Sequence, residues 1–335
     1  MTFTPALLRT ATAASARLIR LPSLTRTYSF TMDPSIRSPP FTQKVVKAMR
    51  ALYPEELADR AWDNVGLLQE NIAPAEGSVP ARVLLTNDLT LRVAEEAIQK
   101  KASVIISYHP FIFRGLKSIA LNDPHQRIVL RLAQHNIAVY SPHTAADAVL
   151  GGVNDWLVGI LKSAVPASAQ LDGDSSVTVV QPAKGPAPAG FEGAGYGRLV
   201  RLPADIKLET ILQTYAQRLG MRHIMLARPR GGSQGDISSV IRTVAICAGS
   251  GADVLQSVTD EADLIITGEM SHHAALRLTM LAKFVLTVFH SNSERGFLRE
   301  VLQPQLLEVL EKEEKGVEVV VSEEDEDPFE IWGPE

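Results

Sequence analysis

Short apolar runs alternate with amphipathic segments along most of the chain. In the first part, residues 82–87, 104–107 and 137–140 form apolar runs that predict strands. The amphipathic segments 91–101 and 123–134 lie between them and predict helices. This alternation of strand and helix is typical of a mainly parallel sheet that is covered by helices.

The same alternation returns in the last part of the chain. Apolar runs at 242–248, 264–267 and 284–289 predict three more strands, with helices at 252–258, 272–281 and 296–312 and a last strand at 317–321. Between about 165 and 238 the pattern changes to Gly- and Pro-rich loops, short strands and one helix. The predicted fold class is α/β, with two related α/β halves of mainly parallel sheets joined by a small middle α+β segment.

These changes in pattern also predict how the chain divides. The predicted divisions are a leader (1–31), a linker (32–41), a first α/β half (42–162), a middle insertion or subdomain (163–238), a second α/β half (239–322) and an acidic C-terminal tail (323–335).

A histidine and a carboxylate follow two of the predicted strands at the same spacing. His143 and Asp147 come after the run 137–140, and His290 and Glu294 come after the run 284–289. If each segment coils into a helical turn, residues four apart lie on one face and can converge on one point. Imidazole and carboxylate are the usual protein ligands of zinc, manganese and ferrous iron. The repeated spacing therefore indicates metal ligands.

Two further strands deliver polar residues at their ends. Tyr108 and His109 follow the run 104–107, and Glu269 follows the run 264–267. In open α/β sheets, ligands bind at the carboxyl ends of the strands. We therefore expect all of these side chains to lie near one site.

Composition limits the alternatives. The chain has 335 residues, of which 45% are hydrophobic, enough to bury one large core or two medium ones. No apolar run approaches the roughly 20 residues that a bilayer crossing needs, so we predict no membrane span. The single cysteine, Cys247, excludes an intrachain disulfide framework and a multi-cysteine zinc site.

The first 31 residues differ from the rest of the chain. They contain four arginines and many Ser and Thr residues, and no acidic residue precedes Asp33. This composition is typical of a mitochondrial transit peptide, and the alternative is a disordered leader without a targeting role. Met32 offers a second start that would give a cytoplasmic form. Removing residues 1–31 changes the net charge from −5 to −9, which argues against direct, non-specific nucleic-acid binding.

The C-terminus is an acidic run followed by Phe329, Ile331 and Trp332. Such a run is either a solvated tail or a segment that docks on the protein. The three large apolar residues favour docking as much as the charges favour solvation.

Six ordered motifs resemble the NGG-interacting factor three (Nif-three) family. The likeness covers roughly residues 40–333. The motifs are residues 62–67 (WDNVGL), 107–113 (SYHPFIF), 143–148 (HTAADA), 151–157 (GGVNDWL), 267–273 (TGEMSHH) and 290–295 (HSNSER).

The resemblance implies a two-halved α/β fold with a dinuclear metal site and a ring-shaped homohexamer. Bacterial members are labelled GTP cyclohydrolase 1 type 2, which implies a metal-dependent hydrolase acting on a nucleotide or related small molecule. Eukaryotic members are named for interactions with transcriptional regulators, which implies a non-catalytic metal-binding adaptor instead. A metal-storage or metal-insertion protein is a third interpretation.

The resemblance also implies the metal ligands: His109, Asp147 as the carboxylate that bridges two ions, His290 and Glu294. His143 is either a fifth ligand or a partner that orients Asp147. The family's site implies two divalent ions per subunit, of zinc, iron or manganese.

One residue departs from the family pattern. Tyr108 stands where many bacterial members have a first histidine before the His-Pro pair. A phenol is a poorer ligand than an imidazole unless it is ionised. The second ion is therefore expected to be weaker, differently coordinated or absent.

For a hydrolase, the candidates for proton transfer are Glu269 and His273. An equally favoured alternative is that Glu269 caps a helix or orients one of the metal ligands through a hydrogen bond. His272 and His273 are adjacent, so on a helix they diverge by about 100° and at most one of them needs to face the site.

Overall fold

Eleven strands lie in the residues that this computed structural model describes, which are 36–169, 176–229 and 235–332. They are β1 Gly66–Gln69, β2 Arg82–Thr86, β3 Val104–Ser107, β4 Ala138–Ser141, β5 Val177–Pro182, β6 Gly195–Lys207, β7 Met225–Ala227, β8 Val240–Cys247, β9 Leu264–Thr267, β10 Phe284–Thr287 and β11 Glu318–Val321. The predicted leader and residues 32–35 of the predicted linker lie outside the described residues, and the last two linker residues already belong to the first helix.

Ten α-helices connect these strands in the same described ranges. They are α1 Pro40–Leu52, α2 Leu91–Gln99, α3 Pro124–Gln134, α4 Thr144–Ala148, α5 Val153–Lys162, α6 Leu208–Arg218, α7 Ala252–Leu255, α8 His272–Met280, α9 Arg295–Phe297 and α10 Gln303–Glu311. Short 3₁₀ turns at Glu55–Leu57, Gln256–Val258 and Ser291–Ser293 complete the connections.

The first sheet has the strand order β1-β4-β3-β2-β11. Strands β4, β3, β2 and β11 are parallel, and β1 runs antiparallel along the edge. The pairing of β11 with β2 brings the end of the chain back to the first sheet, where Glu318 lies opposite Arg82. The last predicted strand therefore belongs to the first sheet, although it follows the second sheet in sequence.

The second sheet has the order β5-β6-β8-β9-β10-β7. Its centre, β8-β9-β10, is parallel, and the strands on both sides of this centre are antiparallel. The predicted α/β class with two sheets is confirmed. The division at residues 162 and 238 stays a prediction, while β5, β6 and β7 of the middle segment belong to the second sheet.

The central strands are buried on both faces. Val83 and Leu85 of β2 lie in a large core shared by both sheets, whereas Leu84 between them lies in a separate cluster with α2 and α3. In β9, Ile266 faces the shared core and Ile265 faces a third cluster with α7 and α8. Strands that are buried on both faces read as continuous apolar runs, which is why the sequence identifies them so readily.

The predicted helix at 296–312 is present as a continuous helical segment from Arg295 to Glu311 that contains a π turn. A wider π turn at Leu298–Leu302 separates α9 from α10. Pro304, in the first turn of α10, has no N–H to donate to the carbonyl four residues earlier, so the regular hydrogen-bond ladder is interrupted here and the π turn accommodates the proline. Among the described residues, no helix is long and apolar enough to cross a membrane.

Candidate metal centre

Polar side chains from both sheets meet at the carboxyl ends of the parallel strands. Asp88 and His109 follow β2 and β3 of the first sheet, while Glu269 and the pair His290 and Glu294 follow β9 and β10 of the second. The carboxyl edge of a parallel sheet is where α/β proteins bind ligands. Here the two edges face each other, so one site draws residues from both.

His109, His290 and Glu294 form the centre of this group. One ligand atom from each lies within 4.8 Å of the others. His109 Nε2 is 3.3 Å from Glu294 Oε2, and His290 Nε2 is 3.5 Å from Glu294 Oε1. The buried Glu294 carboxylate therefore lies between two imidazoles that both present the Nε2 atom.

A second carboxylate contacts each imidazole at its Nδ1 atom, on the side away from Glu294. His109 Nδ1 lies 2.9 Å from Asp88 Oδ1, and His290 Nδ1 lies 3.0 Å from Glu269 Oε1. Histidines that ligate metals usually donate their other ring N–H to a carboxylate, which fixes the ring and leaves Nε2 free for the ion. The donor set and this bracing fit a divalent metal ion at the three-residue cluster.

The backbone around Glu294 leaves room for the ligands. A Cβ on Gly249 would lie 2.7 Å from Glu294 Oε1 and 3.1 Å from His290 Nε2, and Gly249 has a φ of +58°. Only glycine meets both demands comfortably. On the other side, the Asn87 amide donates to Glu294 Oε2 at 3.2 Å, and its own Oδ1 is buried without a hydrogen-bond partner.

The charges in the cluster shift each other's protonation. Burial alone would raise the pKa of Glu294, but His109 and His290 outweigh burial and lower it. Burial alone would lower the pKa of His109, but Glu294 and Asp88 outweigh it and raise the pKa of His109 to about 11. Without a metal ion, the site therefore holds an imidazolium beside a carboxylate at neutral pH.

His143 and Asp147 lie on the far side of His109. The His143 ring is 5.3 Å from the His109 ring, centroid to centroid, and its Nδ1 lies 2.6 Å from Asp63 Oδ1. Its φ of +32° is unusual for a residue with a side chain. Such a conformation needs support from its surroundings, which Asp63 supplies here, also accepting a hydrogen bond from the Thr144 hydroxyl.

Asp147 is bound by Tyr108. The Tyr108 hydroxyl donates a hydrogen bond to Asp147 Oδ1. Burial raises the pKa of Asp147 to about 6, with Glu294 adding to the rise and His143 and Tyr108 opposing it. One oxygen of the predicted bridging carboxylate thus already has a partner from this chain.

The structure separates the two residues predicted for proton transfer. Glu269 contacts His290 and lines a cavity of about 460 Å³ together with His109, Phe289 and Phe329. The first turn of α8 is capped by the Ser271 side chain, so capping is not the role of Glu269. His273 is exposed on that turn, with its ring 5.3 Å from that of His272.

Three residues of the site were missed by the sequence interpretation. Asp63, Asn87 and Asp88 each hold one of the predicted ligands. A signal existed for Asp88 and Asn87, because both follow β2 at the same edge of the sheet as His109. Asp63 precedes β1, an antiparallel strand, so that rule does not apply to it, and its only signal was its place in the motif at residues 62–67.

Known proteins resemble this chain over most of its length. The family model of Duf34/NIF3 (NGG1p interacting factor 3) matches residues 41–328. The protein NIF3 homolog of Schizosaccharomyces pombe is 40% identical over 296 residues, which cover 86% of this chain and 97% of that protein. The NGG1-interacting factor 3 of Saccharomyces cerevisiae is 38% identical over 298 residues, which cover 86% of this chain and 96% of that protein.

A solved structure shares the fold. The Bacillus cereus protein related to NIF3 superimposes with a TM-score of 0.67 at 22% identity, covering 87% of this chain and 98% of that one. The resemblance found in the six motifs is confirmed by the family model and by the two yeast relatives. The chain belongs to the Duf34/NIF3 family.

Proposed function

We propose that this protein binds a divalent metal ion at His109, His290 and Glu294 and uses it to hydrolyse a small molecule. The observation that carries the proposal is the convergence of three ligand atoms within 4.8 Å, with each imidazole braced by a second carboxylate. When bound there, a divalent ion supplies a nucleophilic hydroxide near neutral pH and polarises the bond under attack.

Glu269 is the residue of this chain that moves a proton in the proposed reaction. It lines the cavity beside the ligand His290, and its side chain is 54% exposed, so it can reach a substrate or water there. A carboxylate in that position can accept a proton from a nucleophile and return it to a leaving group. His273 is not needed in this scheme, because it lies on the exposed turn of α8.

The second ion of the family's site is the weaker one in this proposal. His143 and Asp147 would hold it, with Asp147 as the carboxylate shared with the first ion. Asp147 accepts the Tyr108 hydrogen bond, so an ion there competes with a proton donor for the same carboxylate. We therefore expect one firmly bound ion, of zinc, iron or manganese, and a second that binds weakly.

The cavity favours a substrate whose aromatic ring packs against apolar side chains. Met225, Phe289 and Phe329 give it apolar walls, and Asp88, Glu269 and Asp327 give it acidic ones. Among the described residues that line it, none is Lys or Arg. A nucleoside, or a nucleotide bound with its phosphates outside, suits these walls better than a triphosphate gripped within them.

A second candidate function is a non-catalytic adaptor. The Saccharomyces cerevisiae relative is named NGG1-interacting factor 3, which describes a protein partner of that relative. In this chain Phe329, Ile331 and Trp332 are 77%, 57% and 83% exposed, and large apolar side chains of this kind suit a protein interface. A homohexamer like that of the family is compatible with either function. Analytical ultracentrifugation would measure the oligomeric state.

The test is metal content per subunit by mass spectrometry, together with a hydrolysis screen of nucleosides and nucleotides. Wild type and Glu294→Gln are purified without added metal. We expect about one ion in the wild type, loss of most of it in Glu294→Gln, and metal-dependent turnover of at least one substrate. A wild type that holds metal but turns over nothing would favour the adaptor, and a wild type without metal would overturn both versions.

A further inference from the structure

The acidic C-terminal segment is docked along the edge of the first sheet. The Ser322 N–H continues the pairing of β11 by donating to the Leu85 carbonyl at 2.8 Å. The buried Glu96 carboxylate accepts the backbone N–H of Glu323 at 3.0 Å and that of Glu324 at 3.4 Å. These contacts fix the start of the segment, so the residues after it have a defined path.

Asp325, further along this path, reaches two of the metal ligands, one from each sheet, through Asn87. Asp325 Oδ2 accepts the backbone N–H of Asn87 at 2.8 Å. The Asn87 side chain donates to Glu294 at 3.2 Å, and the Asn87 carbonyl accepts the backbone N–H of His109 at 3.0 Å. One buried residue thus connects Asp325 with two of the three metal ligands.

The same segment also reaches the loop that carries the ligands of the second sheet. Asp325 Oδ2 lies 3.4 Å from Arg295 Nε, next in sequence to Glu294. The Arg295 guanidinium donates to Ser291 Oγ at 3.0 Å, and the Ser291 hydroxyl donates to Asp327 Oδ2 at 2.7 Å. The segment therefore ties both ligand-bearing edges together.

The burial of Asp325 indicates that it positions neighbouring residues and does not mainly stabilise the fold. Its side chain is 1% exposed, and its Oδ1 is buried without a hydrogen-bond partner. Burial raises the pKa of this carboxyl above its usual range, with Arg295 opposing the rise. A buried charge with an incomplete set of partners contributes little or nothing to net stability.

We propose that residues Asp325 to Asp327 are a clamp that holds the metal ligands of the two sheets in register, with Asp325 as its main positioning residue. This inference rests on the proposed metal binding. It gives the acidic C-terminal segment a role in the site that neither its charge nor its sequence position indicates.

The test measures Zn²⁺ affinity by competition with a chromophoric chelator for three variants of the full chain. Asp325→Ala removes the acceptor of the Asn87 N–H and so releases Asn87, the residue that contacts Glu294. Because loss of such a direct partner costs about 10- to 100-fold in metal affinity, we expect a loss of about tenfold. Asp325→Asn keeps an oxygen acceptor and should stay within about threefold of wild type. Glu323→Ala, which alters an 81% exposed side chain of the same segment, should leave the affinity unchanged.

Thermal unfolding of the metal-free proteins separates positioning from folding. Asp325→Ala leaves the buried Asn87 N–H unpaired, so it should unfold at a somewhat lower temperature in the presence of a chelator. A clamp predicts that it also loses most of the added stability that Zn²⁺ gives to the wild type. If Asp325→Ala does not fold, Asp327→Ala takes its place, since that change removes the acceptors of the Ser291 hydroxyl and of the Phe329 N–H and leaves Asp325 in position. It should also weaken Zn²⁺ binding.

Unchanged Zn²⁺ affinity in the folded Asp325 or Asp327 variant would overturn the clamp and leave the metal site standing. Equal losses in Asp325→Ala and Glu323→Ala would also overturn it, because they would point to a general charge effect. A wild type that binds no Zn²⁺ would instead overturn the proposed function, and the two failures are therefore distinguishable.

Discussion

The Tyr108 hydroxyl donates a hydrogen bond to Asp147 Oδ1, beside the cluster of His109, His290 and Glu294. Tyr108 is fully buried, and burial together with Asp147 holds the pKa of its phenol well above the usual range. The phenol therefore stays protonated and acts as a donor, not as a metal ligand. This contact is the physical reason for which we expect a weaker second metal position in this chain.

Replacing Tyr108 by His should raise the metal content. Tyr108→His supplies an imidazole and frees Asp147, so we expect the content to rise from about one ion per subunit towards two. Tyr108→Phe is the matched control, since it removes the hydrogen bond without adding a ligand, and it should gain no ion. Mass spectrometry of the native proteins measures both. Two firmly bound ions in the wild type would contradict this explanation.

The convergence of the candidate metal cluster could be predicted from sequence because its residues obey a local rule. Each of the three residues follows an apolar strand: His109 follows β3, and His290 and Glu294 follow β10. These strands are easily recognised in the sequence because both of their faces are buried. The rule names the edge of the sheet but says nothing about which outer carboxylate meets which imidazole. That choice depends on packing between the two sheets.

The C-terminal segment shows what the sequence could not supply. Its docking depends on the pairing of β11 with β2, between residues more than 230 positions apart, and on the Glu96 carboxylate accepting backbone N–H groups. Charge and composition alone left solvation and docking equally favoured. The structure places the acidic residues on the protein and leaves the apolar end beyond them exposed.

Metal binding should release a proton from His109 above the pH at which ordinary histidines do so. The metal-free protein holds His109 protonated because its pKa is raised to about 11, and an ion at Nε2 must displace that proton. Between pH 7.5 and 9 we expect about one proton per ion and an affinity that rises up to about tenfold per pH unit. Calorimetry in buffers of different ionisation enthalpy measures the release.

Asp88→Asn is the control for this proton. Asp88 helps to raise the pKa of His109, so its removal should lower the number of protons released at pH 8.5. The raised pKa also implies that the folded metal-free protein gains stability from His109 below pH 6.5 and loses it as pH rises towards 11. Proton release that is zero at pH 8.5 in the wild type would contradict the assignment.

Glu269 and His273 should differ sharply in their effect on turnover. Glu269→Gln removes the cavity carboxylate that lies beside His290, and loss of a general base typically costs about 10²- to 10⁴-fold in kcat. His273→Ala changes an exposed side chain on α8 and should leave kcat within about twofold. Kinetics on the first substrate found in the screen, at matched metal content, decide between them. A larger loss for His273→Ala would reverse the assignment.

We expect residues 1–31 to act as a mitochondrial targeting signal. Residues 1–31 fused to a fluorescent protein should accumulate in mitochondria, because four arginines without acidic residues favour import. The same fusion with all four arginines changed to Gln should remain in the cytoplasm, as should the chain that starts at Met32. Equal distribution of the wild-type and Gln fusions would identify the leader as a segment without a targeting role.

Gly249 and Gly316 provide a matched pair that separates backbone strain from crowding at the metal centre. Both have positive φ values, +58° and +75°, so an alanine at either position should lower the free energy of unfolding by about 1–2 kcal/mol. At Gly316 the new Cβ meets nothing within 4 Å, whereas at Gly249 it would crowd Glu294 Oε1 and His290 Nε2.

Gly249→Ala should therefore lose metal affinity by about tenfold or more, while Gly316→Ala keeps it, because only the first displaces ligands that must stay in position. Chemical unfolding in chelator measures the shared backbone cost, and Zn²⁺ competition measures the difference. Equal affinities in the two variants would show that Glu294 and His290 can shift by several tenths of an ångström without losing the ion. The cluster would then be more compliant than its bracing by Asp88 and Glu269 indicates.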